Sequence, residues 1–91
     1  MSEQTAVEIM QASIAQSMEQ AVQDAVDTLR NISTVETTVI GVASAKWVAE
    51  PENVAYAAII ENAQANISFA VANLTAVGTA AASVITALEV K

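Results

Sequence analysis

The chain has 91 residues, with ten carboxylates against three cations, a net charge of −7, and neither histidine nor cysteine. That balance argues against a nucleic-acid binder, which must neutralise phosphates with basic side chains, and against electrostatic attraction to anionic membranes. Apolar residues make up 54%, yet there is one Trp, one Tyr and one Phe. Alanine buries little area at roughly 25 cal/mol per Å², against an ordering cost of about 1.5 kcal/mol per residue. With no disulfide or zinc site in prospect, association is the remaining source of stability, and the composition predicts an obligate oligomer or polymer.

Residues 1–91 are expected to form one all-α domain, a helical hairpin with helix regions 4–48 and 52–89 around a turn at 49–52. Thr5-Ala6-Val7-Glu8 fits a capping box. Val7, Met10, Ile14, Met18, Ala21, Ala25 and Leu29 then recur at steps of three and four, with Glu3, Glu8, Glu19, Asp24 and Asp27 outside that set. This is an amphipathic helix with one wet side. Over 33–44 the β-branched residues favour strand, but the helical spacing continues through Ile32, Val35, Val39, Val42 or Ala43, and Trp47. Helix is the reading, with a break allowed at 31–33, where Ser33 and Glu36 offer a second capping box; a strand is the alternative.

Glu50-Pro51-Glu52 separates the halves. Proline disfavours helix in the residue before it and suits the first turn of the next helix, so a second helix is expected from about Pro51. Glu52 and Glu61 lie towards its positive end.

From 62 to 88 no residue is charged. Ile60, Ile67, Leu74, Ala81 and Leu88 fall every seventh position, with Ala63, Ala70, Val77 and Val84 three residues after the first four. This a/d pattern marks an assembly seam packed against other helices along its whole length. Val7, Ile14, Met18, Val22 and Leu29 are the expected facing stripe. Ala72, Ala76 and Ala80, with Gly78 and Ala82, would also let helix backbones approach closely. The run is long enough to span a bilayer, but it has no aromatic belt or basic flank. Asn31-Ile32-Ser33, Asn66-Ile67-Ser68 and Asn73-Leu74-Thr75 match the glycosylation triplet by chance in a chain rich in these residues.

No catalytic, cofactor-binding or metal-ligating constellation is expected. The usual general base and thiol nucleophile are missing, no serine lies in a Gly-x-Ser-x-Gly turn, and two glycines cannot build a phosphate loop. Glu50 and Glu52 read as solvated charges at a helix junction. Glu36, beside the apolar stripe, and Glu61, at the entrance of the uncharged run, are the candidate pH-sensing carboxylates, because stacking them against their copies would disfavour ionisation.

Ile59-Ile60-Glu61-Asn62-Ala63, followed by a helix carrying Asn66, Asn73, Thr75 and Gly78, resembles the Reb proteins, the small killing-trait proteins that form bacterial R-bodies. The resemblance covers the C-terminal half. It implies a structural role: co-assembly with itself and with similar paralogous small proteins into a ribbon in the bacterial cytoplasm. Such a ribbon would extend as pH falls and disrupt membranes mechanically. Two other readings stay open: a membrane-active, holin-like or pore-forming hairpin, and an unrelated helical filament or coat subunit.

Overall fold

A computed structural model describes residues 2–89. Two helices, α1 (Glu3–Ala49) and α2 (Ala55–Glu89), lie antiparallel and form a hairpin. At about 1.5 Å per residue, 47 residues of helix span roughly 70 Å, and the molecule measures 72 × 17 × 11 Å. Its radius of gyration is 20.7 Å, against about 12 Å for a compact domain of this length. The hairpin is one layer of helix, so each side chain faces either the other helix or the outside.

Local chemistry sets both ends of α1. Ser2 caps it from an extended backbone, its Oγ accepting the Thr5 N–H at 3.1 Å and its carbonyl accepting Ala6 N–H. The cap expected at Thr5 is therefore corrected by one turn: Ser2 is an equally good cap, and it places the Glu3 carboxylate at the positive helix end. At the other end the Glu50 N–H reaches the carbonyls of Lys46 and Trp47.

α1 runs unbroken through 31–44, so neither the break at 31–33 nor a strand forms. Propensity differences among ordinary residues reach only about 0.7 kcal/mol each. Packing of Ile32, Val39 and Ala43 towards α2 outweighs them. The hydroxyls of Thr34 and Thr38 donate to the carbonyls of Arg30 and Thr34, each at 2.9 Å, which satisfies them inside the helix.

The connection occupies 50–54. Asn53 N–H donates to the Glu50 carbonyl at 3.0 Å, which puts Pro51 at the second position of a turn that its fixed φ suits. The Asn53 side-chain oxygen then accepts the Ala55 N–H at 3.0 Å. Pro51 thus belongs to the turn rather than to the first turn of α2, and the second helix starts at Ala55, later than expected. Trp47 Nε1 donates to the Pro51 carbonyl at 3.2 Å, and Tyr56 Oη donates to Glu50 Oε2 at 2.9 Å, so both aromatics brace the bend.

Candidate assembly surfaces

All nine positions of the α2 seam are buried or half-buried, as are Tyr56, Ala57 and Gly78. Ala63, Ala70 and Ala81 are buried, and Ile60, Ile67, Leu74, Val77, Val84 and Leu88 are half-buried. The line they face on α1 alternates steps of four and three: Gln11, Ala15, Met18, Val22, Ala25, Leu29, Ile32, Glu36, Val39 and Ala43 are all buried or half-buried. The seam is therefore occupied within the hairpin itself.

Of the facing stripe, Ile14, Met18, Val22 and Leu29 are half-buried, whereas Val7 is exposed and is corrected. Gln11 Nε2 donates to the Leu88 carbonyl at 3.0 Å, and α1 residues before Gln11 extend past the described end of α2. Val35 and Val42 also point outward, 61% and 53% exposed, because the contact line passes through Glu36 and Ala43 instead. Half-buried flanking residues shift along α1 from Ile14 and Ala21 on one side to Val26, Ser33 and Ile40 on the other. That drift follows from a straight helix of 3.6 residues per turn carrying a seven-residue pattern.

The two candidate pH-sensing carboxylates lie in different settings. Glu36 is half-buried on the contact line and accepts a hydrogen bond from Asn66 Nδ2 of α2. It was expected beside the stripe; the alternation Ile32, Glu36, Val39, Ala43, continuing that of Leu29 and Val22, places it in the stripe. The facing stretch of α2 carries no ionisable residue between 62 and 88. Glu61 is exposed and away from the seam. At the bend, the hydrogen bond to the Glu50 carboxylate holds the Tyr56 hydroxyl above the usual tyrosine range, helped by desolvation and by the Glu50 charge.

Outward surfaces divide by charge. α1 carries six carboxylates and two cations, whereas α2 carries only Glu61 and Glu89. The exposed back of α2 reads Ala58, Ala65, Ala72, Thr79 and Thr86 at seven-residue steps, a small-sided and chargeless ridge. By length and composition α2 is also apolar enough to cross a membrane. On one side of the hairpin two grooves open between the helices. The larger, about 600 Å³, is lined by Thr28, Asn31, Val35 and Glu36 of α1 and by Asn66, Phe69 and Asn73 of α2. The smaller, nearer the bend, includes Thr38, Val42, Tyr56 and Ile59. Among the described residues no group of three or more carboxylates could hold a metal ion.

Neither groove could be anticipated from the seam pattern, since it is the flanking positions that line them. A signal was present in Val35, Val42, Ile59 and Phe69, apolar residues outside the main contact line. No protein-family model, curated protein or solved structure matches the chain.

Proposed function

We propose that this chain is the structural subunit of a self-assembling polymer, an R-body-like ribbon or filament of itself and similar small proteins in a bacterial cytoplasm. The observation that carries the reading is the outward face of α2. The hairpin already closes its seam internally, yet residues 62–88 stay free of charge on the exposed side as well. A helix without charge all round is favoured where neighbours surround it. The single-layer shape supports the same reading: exposed surface is 6543 Å², about 1,500 Å² more than a compact monomer of this mass would have. Rods 72 Å long offer their whole length for lateral contact.

In such an array the carboxylates of α1, and Glu61 of α2, repeat at every copy. Acid would neutralise them and relieve like-charge repulsion, which is the trigger proposed for extension of the ribbon against membranes. A membrane-active hairpin is the second reading, favoured by the length and composition of α2.

Expressing the full chain, fractionating the lysate and imaging the pellet by electron microscopy tests the proposal. Ribbons or filaments that pellet without detergent are expected, with an acid-induced change weakened in Glu36→Gln or Glu61→Gln. Material released only by detergent would favour the membrane reading. An unchanged acid response in both variants would remove these two residues from the trigger.

A further inference from the structure

We infer that the grooved side of the hairpin is the surface on which a second copy of this chain docks, face to face about a two-fold axis, to make a four-helix pair. This deepens the assembly reading and rests on it. Four apolar side chains share that side without a partner: Val35 and Val42 of α1, with Ile59 (40% exposed) and Phe69 (74% exposed) of α2. Phe69 is the one phenylalanine of the chain, and it stands at the lip of the larger groove.

Charge selects the occupant. A chain with a net charge of −7 approaches its own copy most readily where carboxylates are few. Among the residues lining the two grooves only Glu36 and Lys46 are charged, and Glu36 is already hydrogen-bonded by Asn66. Glu19, Asp27 and Arg30 are exposed at other positions of the seven-residue repeat; Asp24 shares the position of Asn31 and Thr38 but lies one repeat beyond the larger groove and lines neither. An acidic or basic partner would find little there to pair with, whereas a second copy meets no carboxylate in the grooves beyond the hydrogen-bonded Glu36.

Geometry selects the symmetry. The larger groove lies between 28–36 of α1 and 66–73 of α2, near the mid-length of a hairpin whose longer helix is Glu3–Ala49. A two-fold axis running parallel to the rods, between the two grooved faces, overlays two copies along their full length and sets α2 of each over α1 of the other. It also brings each Phe69 to the other's groove, so one protruding ring and one recess satisfy both partners. A standard interface takes about 800 Å² from each side, and a face 72 Å long and 17 Å wide can supply it.

Sedimentation of the full-length protein over a concentration series, with helicity by circular dichroism, tests the pair. The wild type is expected to pair. Phe69→Asp should raise the pair dissociation constant by about 30-fold or more, the loss typical of a central anchor, with helicity unchanged. Phe69→Leu, which keeps an apolar knob, and Val71→Asp, which changes an exposed residue lining neither groove, should both pair like the wild type.

Three results would overturn the inference: pairing unaffected by Phe69→Asp, pairing lost equally in Val71→Asp, or a wild type that stays monomeric. So would Phe69-dependent flotation with phosphatidylcholine vesicles by a chain that does not pair, since a lipid surface would then be the occupant. Failure of the assembly reading looks different, because the wild type would stop at isolated pairs with no polymer in the pellet. Polymers forming normally from Phe69→Asp would leave that reading standing and remove this one.

Discussion

At Glu36 a carboxylate occupies a position where its neighbours on the contact line are Ile32, Val39 and Ala43, and Asn66 of α2 binds it from across the helix pair. A seam built largely of Ala, Val and Leu has shallow relief, and a slip of seven residues would restore most of its contacts. The polar pair opposes the slip that would set Ile59 opposite Glu36, though not the opposite one, which would bring Asn73 there, and it does so at some cost in stability. Tyr56 plays the corresponding part at the bend. Its hydroxyl is held above the ordinary tyrosine range chiefly by donating to Glu50. Because the folded-state value is raised, this contact stabilises the bend fully below the ordinary tyrosine range and is lost as pH climbs through the raised value. Ultraviolet titration of the single tyrosine should therefore show a midpoint above that of unfolded chain, and Glu50→Gln should move it back down; coincident midpoints in both proteins would contradict the assignment.

Each helix contains one glycine whose side of the helix is open: a Cβ at Gly41 or at Gly78 would meet nothing within 4 Å. Glycine in a helix interior costs roughly 0.5–1 kcal/mol relative to alanine. Gly41→Ala should stabilise the hairpin by about that amount in urea unfolding, and a destabilised variant would mean that the position is crowded in solution. The seam of α2 was legible in the amino-acid order, because from Ile60 to Leu88 the seven-residue beat has no interruption. On α1 the order allowed more than one path. Ile14 and Val35 flank the contact line on one side and Val26 and Ile40 on the other, so a pattern of apolar residues ran through Val35 and Val42 as readily as through Glu36 and Ala43. Ends were harder still, because Ser2 and Thr5 can each cap a helix, and the order of residues alone does not rank them. Of the grooves only a hint was legible, in Val35, Val42, Ile59 and Phe69 lying off the contact line, since their shape depends on how the two helices sit side by side.

On the scale of the whole molecule, the hairpin is a rod closed at one end by the bend. Contacts across it join residues ever further apart in sequence, from Glu50 and Tyr56 at the bend to Gln11 and Leu88 at the far end. Before Gln11 every described residue is exposed, and a helix end without packed side chains frays first. Amide exchange should therefore be fastest before Gln11, slower around 11–18 and 81–88, and slowest over 32–43 and 60–70; uniform protection along both helices would contradict it. The connection of five residues gives that gradient a direction in time. Closing so small a loop costs little entropy, so pairing starts beside the bend and advances like a zip. Every opening fluctuation runs the other way and uncovers the terminal seam residues, Val84 and Leu88 among them, before any others.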